Sequence, residues 1–212
     1  YVFFSSRLKT DTSVGGKERD WQGQIWRYSW PFSIFGVFTW MQLASDRWAL
    51  SLFSTTHEVG MYAVLFQLGY YPMSLAHGMA TQFLAPIVFG RAGDASDSRR
   101  TTNVHDLSWG LTWLAFGATC VIFLIAFLFH TEIFRLLVAK EYASASHLLP
   151  WMLLAGGVIG AGQTIALKMM SQMKTKSMVA PKVVTALLGV TLNCIGAYWY
   201  GTTGIVVAGI VF

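Results

Sequence analysis

Long apolar runs separated by short polar stretches dominate the chain. Residues 30–52, 59–89, 107–129, 147–167 and 178–200 form five such runs, each matching or exceeding the ~20 residues a helix needs to cross a bilayer. Residues 1–4 read as the tip of a preceding span, and a sixth run opens at Thr203. The pattern predicts an all-α fold, a polytopic transmembrane helical bundle of about five full spans plus parts of two more. Within the second run, Pro72 and Pro86 predict kinks. Residues 131–139 read as a short amphipathic helix, 140–146 as a turn and 201–204 as a tight turn. Trp21, Ile25 and Tyr28 recur at helical spacing, as do Trp26 and Trp30. They suggest either a short helix lying at the membrane interface or the aromatic collar of the next span.

Residues 5–20 form the longest polar stretch, and the best candidate for a linker between two lobes. The chain opens on Tyr1 and closes on Phe212 within apolar runs. The expectation is therefore an internal segment of a longer chain, with 1–20 ending a preceding span and carrying the linker, and 21–212 forming a truncated transmembrane lobe.

Composition supports the membrane reading. Of the 212 residues, 54% are apolar and only 12% charged, whereas a soluble domain carries about 25% charged residues. That leaves too little charge to coat a water-soluble enzyme, too much hydrophobicity for a disordered chain, and, with 2 Cys, no disulfide scaffold. The net charge of +5 is a topology signal. If spans alternate sides, loops 5–28, 91–106 and 168–182 share one side and hold 12 of the 15 Lys and Arg residues. The opposite loops hold only Arg135 and Lys140. The basic side is expected to face the cytoplasm. No basic face suited to nucleic acid is evident.

Polar residues inside the apolar runs carry the functional information, because each is costly in hydrocarbon unless it meets a partner helix or a wetted cavity. Thr39, Gln42 and Asp46 share one face of the first span. Gln67, Tyr71, Ser74, Gly78 and Gln82 do so on the second, and Thr185, Gly189 and Asn193 on the fifth. Gln163 and Thr164 lie on the fourth. Four striped helices suggest a shared polar interior; the alternative is interhelical hydrogen bonding that serves packing alone. The third span has no stripe and is expected to face lipid. Asp46 and Arg47 form a charged pair within a span. Either Arg47 holds an anionic substrate group while Asp46 orients it or exchanges a proton, or Arg47 snorkels outward and Asp46 pairs with a neighbouring helix. Gly156 and Gly160 make a GxxxG pattern, read as close helix packing or as a flexible bend.

Catalytic patterns are weak. Asp94 and Asp97 could hold a metal on a diphosphate, but flanking Arg99 and Arg100 suit a solvated loop equally well. Ser171 and Lys174 match SxxK without any sign of the shaped site a serine nucleophile needs. The five His have no ligand spacing, and Cys120 and Cys194 read as packing residues. Without a Walker A sequence, ATP hydrolysis is not expected of this segment. No cofactor or metal is expected.

Several segments in order resemble the oligosaccharide flippases of the polysaccharide transporter family, part of the superfamily that also contains the multidrug and toxin extrusion antiporters. They are SDRW at 45–48, EVGMY at 58–62, QLGYYP at 67–72, LAPIV at 84–88, LLVAKEYASA at 136–145 and the stretch 187–204. Val138 and Ala139 replace the usual Phe-Gly of the fifth segment. The resemblance implies a two-lobed protein of twelve to fourteen helices in the cytoplasmic membrane. This chain would be most of the second lobe, and its partners the first lobe of the same chain, membrane lipids and a lipid-linked oligosaccharide moved by alternating access. It places Asp46 and Arg47 on the family's DR and sets Gln67 and Tyr71 in the cleft between lobes, with Tyr70, Tyr71 and Trp40 as faces for sugar rings. The expected substrate-binding set is thus Arg47, Asp46, Gln42, Gln67, Tyr71 and Asn193. Two competing functions are a cation-coupled multidrug-type antiporter, for which Asp46 is the in-span acid, and a membrane-embedded glycosyltransferase or polymerase using Asp94 and Asp97.

Overall fold

The computed structural model describes residues 21–92, 98–171 and 175–211. The expected linker 5–20, the Asp94–Asp97 pair and Lys174 lie outside them. The described chain is helical almost throughout and contains no strand. Three helices are long and apolar enough to cross a membrane: Val104–Leu137, Lys140–Ser171 and Val179–Val211.

Helix α1 spans Trp21–Phe53 without interruption. The Trp-rich segment 21–30 is therefore the first turns of the following helix and not a separate interfacial helix. Pro31 lies within it. Helix α2, Thr56–Leu65, starts at Thr55, whose side chain accepts from the Glu58 N–H; this satisfies one of the four N–H groups a helix start leaves open. A π-helical turn, Phe66–Tyr70, joins α2 to α3, Tyr71–Ala92. Its cause is Pro72. Proline has no N–H and its ring crowds the carbonyl one turn back, so the preceding turn widens and the Tyr71 N–H donates to the Phe66 carbonyl, five residues back.

Helix α4, Ser98–Leu137, runs straight through the segment expected to form a separate amphipathic helix at 131–139. Phe134 explains the continuity: it is 2% exposed in the main core, so the last turns are held by burial. A 3₁₀ segment, Lys140–Leu148, leads into α5, Leu149–Ser171. A second 3₁₀ turn, Thr175–Met178, precedes α6, Val179–Val211. Gly201 breaks α6 with φ +56°, a backbone conformation costly for residues with a Cβ. Residues 202–211 fold back so closely that a Cβ on Gly204 would lie 2.1 Å from the Gly196 carbonyl oxygen.

Side-chain contacts sort the loops to two ends. At one end the Thr202 N–H donates to Glu58 Oε2 at 2.7 Å, and His57 stacks on Tyr142. At the other, Lys168 meets His105. A large core of Leu50, Leu65, Phe134, Leu149, Met152, Ile205 and Val206 fills the first end. A small cluster of Val88, Val104 and Leu167 closes the second.

Small residues set the close packing of α5. A Cβ on Gly157 would lie 2.2 Å from Thr119 Cγ2 of α4, and one on Gly160 would lie 2.3 Å from His77 Cγ of α3. The GxxxG pattern is thus a close-packing device here. Most of the outer surface of α4, including Trp113, Leu114, Ile125 and Leu128, is exposed, as the lipid-facing expectation for this helix requires.

Candidate functional site: a polar-walled cavity within the bundle

Between the two cores lies a half-open cavity of about 730 Å³ that touches Met152 and Ile205 of one core and Leu167 of the other. Helix α1 contributes Thr39, Gln42 and Asp46. The α2–α3 rod contributes Tyr62, Phe66, Tyr70, Ser74 and Thr81; α5 contributes Gln163, and α6 contributes Lys182, Thr185 and Asn193. Residues from all four striped helices therefore meet at one surface, while among the described residues α4 contributes none.

The wall between α1 and α6 is a hydrogen-bonded seam. Asn193 Nδ2 donates to Ser45 Oγ at 2.8 Å, and Ser45 Oγ donates to the Gln42 carbonyl at 2.8 Å. Lys182 Nζ donates to Gln42 Oε1 at 2.6 Å, with its ammonium 5.2 Å from the Phe35 ring centre. Asp46 is 6% exposed. Its carboxylate accepts from the Tyr62 hydroxyl and from the Arg47 backbone N–H, the latter at 3.0 Å. The Asn193 side chain is 2% exposed, yet its Oδ1 accepts no hydrogen bond from the protein. A buried carbonyl left this way costs about 1–3 kcal/mol unless water or a ligand supplies a donor.

Of the six residues expected at the site, Gln42, Asp46 and Asn193 converge on the cavity. Gln67 and Tyr71 lie on the exposed outside of the α2–α3 rod. The face that reaches the cavity, Tyr62–Phe66–Tyr70–Ser74, keeps Ser74 of the expected stripe but runs one position before Gln67 and Tyr71. It recurs every four residues through the π-helical turn, whose wider winding keeps Phe66 and Tyr70 on one side, their rings stacked 4.7 Å apart. Arg47 is exposed, and its guanidinium sits 5.0 Å from the Phe66 ring centre. Asp46 and Arg47 are therefore no ion pair in the structure: Asp46 pairs with a neighbouring helix and Arg47 turns out, the second of the two arrangements open from sequence. Trp40 is also exposed, whereas Tyr70 reaches the cavity.

Lys182 is the cavity residue that sequence reading missed. Counted among the loop cations, it carried no functional reading. The available clue was its position three residues before Thr185, on the same face as that stripe. Among the described residues no cluster of His, Cys, Asp or Glu has the makings of a metal site. No family model, curated protein or solved structure matches the chain.

Proposed function

We propose that the chain is the greater part of one lobe of a two-lobed flippase, which moves a lipid-linked oligosaccharide across the cytoplasmic membrane by alternating access. The observation that supports this most is the convergence of Gln42, Asp46, Lys182 and Asn193 on one cavity in an otherwise apolar helical bundle. A diphosphate and sugar hydroxyls cannot enter hydrocarbon without replacement hydrogen bonds. Protein groups and a cation along a wetted wall supply them.

In this reading α1 and the rod from Thr56 to Ala92 also cross the bilayer, giving five spans with the three apolar helices. Residues 202–211 begin a sixth. Loops 5–28, 91–106 and 168–182 face the cytoplasm, following their basic charge. The exposed face bearing Arg47, Gln67 and Tyr71 meets the first lobe of the same chain, and rocking of the two lobes exposes the cavity to each side in turn. The chain makes and breaks no covalent bond.

The test is deletion of the gene followed by complementation with the full-length protein. Lipid-linked oligosaccharide should strand on the cytoplasmic face in the deletion strain and clear on complementation. An unchanged surface polymer in the deletion strain would overturn the reading. The Asp46 carboxylate facing the cavity favours a second reading, a cation-coupled antiporter of the same superfamily. Unchanged polymer together with heightened sensitivity to cationic amphiphiles would favour it.

A further inference from the structure

We propose that one anionic phospholipid binds outside the cavity, across the α4–α5 seam at its Lys168 end, with its phosphate at Lys168 and His105 and an acyl chain along Trp109, Trp113 and Phe116. In the orientation proposed above this lipid belongs to the cytoplasmic leaflet. The inference requires α4 and α5 to lie in a bilayer and is independent of the cargo.

The polar half of the site joins two helices. Lys168 stands in the last turn of α5 and is partly buried; His105 stands in the early turns of α4 and is exposed. Their side chains meet across the seam, and neither residue lines the cavity. An ammonium only donates, so His105 Nδ1 accepts from it and the ring proton sits on Nε2, a further donor. Of the three ammonium donors one goes to His105, and among the described residues no carboxylate takes the others. Toward the opposite end of α4, by contrast, Arg135 is matched by Glu132 at 2.7 Å. Asp106 is next to His105 in sequence and exposed, but adjacent helix positions point in different directions and it pairs with neither residue. The seam therefore offers one positive charge and donors from two helices to an anion, and a phosphodiester oxygen accepts such charge-assisted bonds well.

The apolar half is a column of rings. His105, Trp109, Trp113 and Phe116 follow the spacing of one helix face. Successive ring centres are 6.3, 6.5 and 6.2 Å apart, and Trp109, Trp113 and Phe116 are exposed. From His105 to Phe116 the helix rises about 16 Å at ~1.5 Å per residue. That is close to the depth of one leaflet, half of a hydrocarbon core of ~30 Å. Anchoring at the headgroup level accounts for Trp109. It does not account for Trp113 and Phe116, which lie one and two turns deeper and continue the column. A charged head at its top and a ring wall one leaflet deep match a phospholipid and not a soluble anion. Basic pockets between spanning helices on the cytoplasmic side are suited to anionic headgroups. Bound here, the lipid ties α4 to α5 at the end that only the small cluster of Val88, Val104 and Leu167 closes.

The probe is dioleoylphosphatidylglycerol, titrated onto the purified full-length protein in detergent micelles and counted as bound lipid by native mass spectrometry. Dioleoylphosphatidylcholine is the reference. Phosphatidylglycerol should fill a first site at least tenfold more tightly than phosphatidylcholine. The preference should vanish in Lys168→Glu and persist in Lys168→Arg, and affinity should fall at least threefold in Trp113→Ala; each variant is first matched to the wild type on gel filtration. Equal affinity of the wild type for the two lipids overturns the proposal. So does an intact preference in folded Lys168→Glu, or unchanged affinity in folded Trp113→Ala. Inorganic phosphate should not compete; competition as strong as by the lipid would make this a site for free anions and likewise overturn it. Selective binding together with no stranded cargo in the deletion strain upholds this inference and overturns the flippase reading alone.

Discussion

The α1–α6 wall and the α4–α5 seam join helices by opposite means. Across the first, long polar side chains reach one another: Lys182 to Gln42 and Asn193 to Ser45. Across the second, backbones approach because side chains are missing: Gly157 leaves space that Thr119 fills, and the Thr112 and Thr164 hydroxyls meet. In an apolar solvent no hydrophobic drive holds helices together, so close packing supplies adhesion and polar contacts supply specificity. The α4–α5 seam, built on close backbone approach, reads as scaffold. The α1–α6 wall ends in an open amine and an orphaned carbonyl beside a cavity, the arrangement expected of a surface that handles polar cargo.

The contrast breaks most visibly at the seam. Gly157→Leu drives a side chain into Thr119, whose Cγ2 would sit 2.2 Å from the new Cβ. The expected loss is about 3 kcal/mol, the upper end for overpacking, read as a fall in the denaturation midpoint in detergent micelles. A stability like that of the wild type would show that the seam is loose and the scaffold role misplaced.

On the polar side, Asp46→Ala should cost about 2 kcal/mol, because the Tyr62 hydroxyl, buried with its residue 4% exposed, loses its acceptor. The double variant Asp46→Ala/Tyr62→Phe should recover much of that loss, since both partners are then gone. Additive single effects would mean the two side chains are not coupled.

Gly201→Ala tests the hairpin that folds 202–211 back onto α6. A left-handed residue with a Cβ costs about 1–2 kcal/mol, and here the Cβ would also press on Glu58 Oε2 at 2.0 Å. Glu58→Gln keeps an acceptor for the Thr202 N–H and should be milder in the same denaturation assay. If it is the more damaging change, charge at Glu58 matters more than the shape of the turn.

Arg47→Ala should have the smallest effect on folding, within about 0.5 kcal/mol, because the residue is exposed and held by one ring contact. Export of lipid-linked oligosaccharide should nevertheless fall. Export at the wild-type rate would make the Arg47 contact with Phe66 structural and leave the cavity lysine as the cation that matters.

Much of the architecture is legible in the chain itself because bilayer length and apolar runs are local properties. The helical content and the positions of the turns near 54, 140 and 201 follow from residue types alone, whereas the tertiary contacts chose close packing over a flexible bend for Gly156 and Gly160. The stripe Thr39–Gln42–Asp46 also reads correctly, since α1 is uninterrupted and 3.6-residue periodicity holds along it. The same arithmetic fails on the second rod. Pro72 widens the turn before it, so the positions aligned with Ser74 move by one, and Gln67 and Tyr71 give way to Phe66 and Tyr70 at the cavity.

What the sequence determined by itself was therefore the helical content and the apolar runs that carry it, because each depends only on neighbours along the chain. Partner choice was decided in three dimensions. Asp46 has a cation beside it in sequence but finds Tyr62, sixteen residues away, because successive positions on a helix point in different directions. Lys182 reads as a loop cation until packing brings it against Gln42, 140 residues earlier in the chain, and turns its amine into the cavity.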